Sequence, residues 1–289
     1  VPEFEDKYWW SDNLRLHYRD YPGPDDRPPI LCIPGLTRNA RDFEPVAERL
    51  AGQWRLICVD LRGRAESAYA KDPMTYVPLT YLQDLMRLFE AINLRRFVGF
   101  GTSLGGLLLM LVASAAAQRL AGALINDIGP TIEEVGLARI RGNVGNGSTF
   151  PTWVHAARAL AETNAAIYPD YELHDWITFA KRLYRLNSKG RIVLDYDQRI
   201  AEPFRQPGNE AGVDLWPTLT GFASCPVTVL RGGLSDILSA ETAQKMCSLL
   251  PDAELVTLPR IGHAPALTEP ESVAAIDRLL TRVLAGQGA

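Results

Sequence analysis

In Gly101-Thr102-Ser103-Leu104-Gly105 one serine is held between two glycines. Arg96 to Phe100 reads as a short apolar strand, and Leu104 to Ala117 is apolar, Ala-rich and helical. A serine in a strained strand-to-helix turn is presented for nucleophilic attack. Its glycine neighbours suit that turn, because a Cβ there would strike the adjoining strand or helix. A hydroxyl attacks poorly until a base takes its proton. Imidazole does this well near neutral pH, and a carboxylate holds the ring in the needed tautomer. The candidate base is His263, in Gly262-His263-Ala264-Pro265; the competing reading is a capping or packing histidine beside Pro265. The candidate acids are Asp236, in Gly232-Gly233-Leu234-Ser235-Asp236, and Asp127, in Asp127-Ile128-Gly129-Pro130.

These residues need elements that bring them to one place. Tyr8–Trp10 and Leu14–Arg19 predict an opening antiparallel hairpin turning at Ser11-Asp12-Asn13. Short apolar runs at Ile30–Ile33, Arg55–Val59, 96–100, Ala121–Ile128, Pro226–Leu230 and Glu254–Leu258 predict strands. Helical spacing lies between them at Phe43–Leu50, Leu79–Ile92, 104–117, Ala240–Leu250 and Pro270–Leu284. Strands alternating with helices imply an α/β protein with a mainly parallel sheet covered on both faces. Right-handed crossovers put the loops after the strands along one edge, where open α/β sheets bind ligands. Pro34-Gly35, Asp60, Ser103 and Asp127 fall at such ends. From Thr131 to about Pro217 the alternation stops. That stretch is rich in helix formers and aromatics, including Trp153, Tyr168, Tyr171, Trp176, Phe179 and Tyr184, and reads as a helical lobe inserted over the strand ends. Most of these aromatics are expected to pack the lobe's own core, with one or two lining a pocket.

Composition narrows the function. The chain has 289 residues, 47% hydrophobic and 22% charged, with a formal net charge of −4. That suits a soluble globular protein and argues against a nucleic-acid partner. No stretch approaches the ~20 apolar residues that span a bilayer. The acidic start, Val1-Pro2-Glu3-Phe4-Glu5-Asp6, lacks a signal-peptide pattern, and without an initiator Met it leaves trimming or removal of a leader open. Cys32, Cys58, Cys225 and Cys247 are widely spaced with no C-x-x-C, which predicts buried reduced thiols in a cytoplasmic protein. The Gly-rich turn at 101–106 lacks G-x-G-x-x-G, and no metal, nucleotide or flavin signature is present, so no cofactor is expected.

Pro34-Gly35-Leu36, Asp60-Leu61-Arg62-Gly63, Gly101 to Gly106, Gly232 to Asp236 and Gly262-His263 together resemble the α/β-hydrolase superfamily, in its group with a helical cap. The resemblance implies a mainly parallel sheet of about eight strands flanked by helices. It gives a core at 1–130 and 217–289, with the cap at 131–216. The order Ser103, Asp236, His263 is the one this fold uses. Asp236 follows the strand where the family usually places its acid, and is preferred. Asp127 occupies the position some members use instead. Asp60 is expected to tie down its own Arg62-Gly63 turn. The N–H groups of Leu36 and Leu104 are the candidate oxyanion donors. Pro34 stands where many relatives carry His, which removes a side chain and not the backbone donor. Arg38 either binds a substrate carboxylate or covers its loop, the second being preferred, and Trp153 is a candidate pocket residue.

A serine nucleophile, where dehalogenases and epoxide hydrolases of this fold carry Asp, argues for acyl hydrolysis. The expected function is a serine hydrolase of carboxylic esters or lactones acting on a small, hydrophobic molecule. The alternatives are a C–C bond hydrolase of aromatic ring-cleavage products and a non-catalytic ligand receptor. The elbow Thr102-Ser103-Leu104 is not the Asn-Ser-Met form associated with the C–C hydrolases.

Overall fold

The computed structural model of the chain describes residues 2–205 and 214–286. Residues 206–213 of the expected cap, and residues 1 and 287–289 of the expected core, lie outside the described residues. Strands β1 (Glu5–Ser11) and β2 (Leu14–Tyr21) form the opening hairpin. Its turn residues Asp12 and Asn13 both take positive φ, a conformation short polar side chains tolerate. The chain continues through β3 (Ile30–Ile33), α1 (Glu44–Leu50), β4 (Leu56–Asp60), α2 (Pro78–Ala91), β5 (Phe97–Thr102), α3 (Leu104–Ala116) and β6 (Leu120–Asn126). After β6 come α4 (Glu134–Asn143), α5 (Trp153–Asn164), α6 (Leu173–Leu183), β7 (Tyr184–Leu186), β8 (Ile192–Leu194) and α7 (Glu202–Arg205). The alternation then resumes with β9 (Val227–Gly232), α8 (Ala240–Ser248), β10 (Ala253–Leu258) and α9 (Pro270–Ala285).

The main sheet has eight strands in the order β1-β2-β4-β3-β5-β6-β9-β10. Only the contacts of β2 with β1 and β4 are antiparallel. Alternation along the central strands divides the core into two layers. Leu31, Ile33, Ile57 and Val59 face α2, α3 and α8, whereas Ile30, Cys32, Leu56 and Cys58 face α1 and α9. Strands β3, β4 and β6 are buried throughout, as strands covered on both faces must be. Cys32, Cys58 and Cys225 are buried free thiols, and Cys247 is half-buried. No helix among the described residues is long and apolar enough to cross a membrane.

The described residues between β6 and β9 form an inserted lobe where the cap is expected. It is not purely helical: β7 and β8 pair as a short antiparallel hairpin, and Phe150 bridges to Ile192 beside it. Tyr168, Tyr171, Trp176 and Phe179 pack ring against ring, so the lobe's aromatics chiefly build its own core. Polar contacts fasten the cap to the sheet edge. Arg41 reaches Asp195 at 2.6 Å, the Tyr76 hydroxyl donates to Asp197 at 2.7 Å, and the Gly262 N–H donates to the Ile167 carbonyl at 2.7 Å.

Candidate active site

The register of neighbouring strands brings the chemistry together. Thr102 at the end of β5 pairs with Asn126 at the end of β6, and Asn126 pairs with Leu230 of β9. Ser103 and Asp127 are therefore the first residues beyond two adjacent parallel strands. Ser103 sits at φ 53° and ψ −117°, and its N–H donates to the Asn126 carbonyl. The glycines around it answer to contact. A Cβ on Gly101 would lie 2.4 Å from the Gly105 carbonyl oxygen, and one on Gly105 would lie 2.0 Å from that of Ile33. Only the bare backbone lets α3 start this close to β3 and β5.

The loop after β10 carries His263 back across the strand ends. Its Nε2 lies 2.8 Å from the Ser103 Oγ, and its Nδ1 lies 2.8 Å from Asp127 Oδ2. Asp127 is fully buried. Its Oδ1 accepts from the Gly232 N–H at 2.7 Å, and its Oδ2 also accepts from the Ser235 hydroxyl at 2.6 Å. Three donors thus converge on one carboxylate and fix it against the imidazole.

Asp236, preferred from the sequence as the acid, is engaged elsewhere. Arg139 of α4 grips it with two hydrogen bonds of 2.6 and 2.7 Å. The hydrogen bond from Arg139 holds the Asp236 carboxyl below the usual range, with a lesser contribution from the nearby His263. The neighbouring residue decides the direction: Ser235 turns inward to Asp127, and Asp236 turns toward the cap. The residue given second place in the sequence is the one against the histidine.

The loop after β3 runs beside the serine, with the Cβ position of Gly35 3.6 Å from the Ser103 Cβ. The Leu36 carbonyl accepts from both Nε and Nη2 of Arg64, at 2.8 and 2.7 Å. Arg64 is fully buried, also donates to the Arg62 carbonyl and the Tyr81 hydroxyl, and meets no carboxylate in an ion pair among the described residues. Nothing in the sequence singled it out. Leu104 is the first residue of α3, where an N–H has no acceptor within its own helix.

Above the serine lies a cavity of about 460 Å³, lined by Ser103, His263 and the loop after β3 from below and by α4, α5, α6 and β8 of the cap. Arg38 is on its wall. It pairs with Asp42 at 2.7 and 2.5 Å and lies over the Phe179 ring, 4.3 Å from its centre. Tyr168, Phe179 and Tyr184 also line the cavity, but Trp153 is not among its wall residues and packs instead against the large buried apolar cluster that the lobe shares with the sheet. Burial pushes the Tyr168 hydroxyl well above its usual value, and it donates to the Ala264 carbonyl at 2.8 Å, bracing the loop that carries His263.

Asp60 departs from expectation. It accepts from the Ala40 N–H and faces His17 Nδ1 at 2.6 Å, while Arg62 pairs with Asp84 and Asp12. His17 Nε2 lies 2.8 Å from Asp6. Burial alone lowers the His17 pKa, but hydrogen bonds and charge from Asp60 and then Asp6 outweigh it and the net shift is upward. His155 and His174 lie on the cap, away from the serine. Among the described residues no group of three His, Cys, Asp or Glu side chains is arranged to hold a metal ion.

A buried carboxylate, an imidazole and a strained serine in hydrogen-bonded series can activate a hydroxyl for attack on a carbonyl. Residues 30–276 match the alpha/beta hydrolase family. The chain belongs to this family. A 3-hydroxybutyrate-oligomer hydrolase from Cupriavidus necator is 30% identical over 286 residues, covering 92% of this chain and 93% of that protein. The crystal structure of an alpha/beta hydrolase from Novosphingobium aromaticivorans is 57% identical, with a TM-score of 0.93 over 98% of this chain and 99% of its own. A 2-(acetamidomethylene)succinate hydrolase from Mesorhizobium japonicum is 26% identical over 84% of each chain. The protein is thus a hydrolase of the α/β fold, similar to enzymes of differing substrates.

Proposed function

We propose that this hydrolase cleaves carboxylic esters, lactones included, through an acyl-enzyme on Ser103. The observation that carries the reading is the placement of the His263 ring, 2.8 Å from the Ser103 hydroxyl on one side and 2.8 Å from Asp127 on the other. Asp127 keeps the proton on Nδ1, leaving Nε2 to accept from Ser103. Ser103 Oγ attacks the ester carbonyl as His263 takes its proton. The oxyanion is held by the N–H groups of Leu36 and Leu104, each such donor contributing about 3 kcal/mol to lowering the barrier. His263 returns the proton to the leaving alcohol, then activates the water that releases the acid. The cap, through its described helices α4, α5 and α6, encloses the acyl chain.

The ester reading draws support from the Cupriavidus relative, because oligomers of a hydroxy acid are joined by ester bonds. The cavity suits a molecule of this kind. Its volume is in the range of small-ligand sites, and Leu160, Ile140, Val144 and Leu194 give it apolar walls. A panel of 4-nitrophenyl esters of rising acyl length, with wild type and Ser103→Ala side by side, tests the proposal. Turnover that is lost in the variant is expected. Equal turnover in both, or none on any ester or lactone by the folded wild type, refutes it.

A further inference from the structure

The charges on the cavity wall do not cancel. Arg38, Arg139 and Arg182 all line it, with Asp42 as the lining carboxylate. Arg38 is neutralised by Asp42, and Arg139 by Asp236 just behind it. Arg182 has no ion pair or side-chain hydrogen bond among the described residues. Its backbone, and with it the root of the side chain, is nonetheless held in place. Phe179, Arg182 and Leu183, at i, i+3 and i+4 of α6, form the helix face that meets the cavity. The Arg182 carbonyl anchors that end of α6 by accepting from Asn39 Nδ2 at 2.8 Å and Arg41 Nη2 at 3.0 Å. Phe179, one turn before Arg182, carries the Arg38 guanidinium on its ring.

A half-buried cation on a largely apolar wall gains most from an anion that enters with the substrate, because low-dielectric surroundings strengthen the pairing and the fork geometry of Arg matches a carboxylate. One surplus positive charge calls for one negative charge. The net charge of the whole chain is −4, so this excess is local to the cavity and is not a general basicity.

We propose that the hydrolase selects esters bearing one free carboxylate, which Arg182 binds while the ester carbonyl sits at Ser103. The substrate class is then a carboxylate-ended ester with an apolar body, such as an oligomer of a hydroxy acid or a half-ester of a dicarboxylic acid. Arg182 is a specificity determinant in this scheme. The inference rests on the ester-hydrolase reading, so its test includes a readout that needs no turnover.

Matched substrates separate charge from shape: mono-4-nitrophenyl adipate against its methyl-capped diester. Wild type is expected to prefer the free acid by ~10-fold or more in kcat/KM, mostly through KM, the scale of one charge-assisted hydrogen bond. The preference should shrink as salt is raised. In Arg182→Gln the ratio should fall to about one, and in Arg182→Glu below one, with thermal melts confirming that each variant is folded. A wild type indifferent to the cap, or an Arg182→Gln protein that keeps the preference, overturns the proposal. The second measurement is calorimetric binding of monomethyl adipate to Ser103→Ala. Saturable binding that weakens ~10-fold or more in Ser103→Ala/Arg182→Gln is expected. Absence of binding, or equal binding to both, overturns the carboxylate site. Intact binding without turnover of any ester refutes the ester reading alone.

Discussion

Replacing Asp127 by Asn should all but stop the reaction, and the structure says why the isosteric change is so severe. Asp127 Oδ1 accepts from the Gly232 N–H at 2.7 Å, so an asparagine must keep its carbonyl oxygen there. Its NH2 group then occupies the Oδ2 position, 2.8 Å from His263 Nδ1. An NH2 group can only donate, which forces Nδ1 to accept and moves the ring proton to Nε2. Nε2–H has no lone pair for the Ser103 proton, and the imidazolium also loses its counter-charge. Where the orienting aspartate of such a triad becomes asparagine, kcat falls by roughly 10⁴. That corresponds to about 5.4 kcal/mol of barrier. Asp236→Asn removes only a half-buried pair with Arg139. Asp236 makes no hydrogen bond to Ser103 or His263, so kcat should change by less than ~10-fold. The assay is kcat on a 4-nitrophenyl ester for both variants, with melting temperatures to show that both are folded. An Asp236→Asn protein as impaired as Asp127→Asn, or an Asp127→Asn protein near wild type, refutes this reasoning.

Other consequences are open to measurement. His17 has a raised pKa between Asp60 and Asp6, so the stability it contributes is fully present below its unfolded value near ~6.5 and is lost as pH rises through the higher folded value. Urea midpoints from pH 6 to 9 should therefore show the gap between wild type and His17→Gln narrowing as pH rises; a constant gap contradicts the linkage. Arg64→Met should lower kcat more than it raises KM, because its fork on the Leu36 carbonyl holds the loop whose Leu36 N–H is the proposed oxyanion donor. A change confined to KM would show that the loop does not depend on it. Gly105→Ala should fail to give active enzyme, since its Cβ would sit 2.0 Å from the Ile33 carbonyl oxygen. Normal activity in that variant would show that α3 has room to shift.

The sequence disclosed the strand, elbow and helix around Ser103 because that geometry depends on local residue types, chiefly glycines that touch backbone. It disclosed His263 because few histidines compete and only this one follows a late strand. It preferred Asp236 to Asp127 as the acid, and the structure differs for a physical reason. Asp127 and Asp236 both stand at strand ends on the same edge, and the choice depends on side-chain direction. That direction is set by Ser235 turning inward and by Arg139, which lies on a cap helix distant in sequence. The same reason hides His17 with its two carboxylates and Arg64 with Leu36, since each contact joins separate elements. The β7–β8 hairpin has strands of three residues each, too short for alternation to register. Trp153 reads as a pocket aromatic by composition, but at the start of α5 it packs against the buried apolar cluster and stays out of the cavity lining.

Rapid mixing with a 4-nitrophenyl ester, followed by intact-mass and peptide analysis of the quenched protein, tests the central claim most directly. The account predicts a nitrophenolate burst approaching one equivalent per chain when deacylation is the slow step, and an acyl adduct on the peptide containing Ser103 that is missing in Ser103→Ala. Turnover with the adduct on another residue, or turnover undiminished in Ser103→Ala, would contradict it.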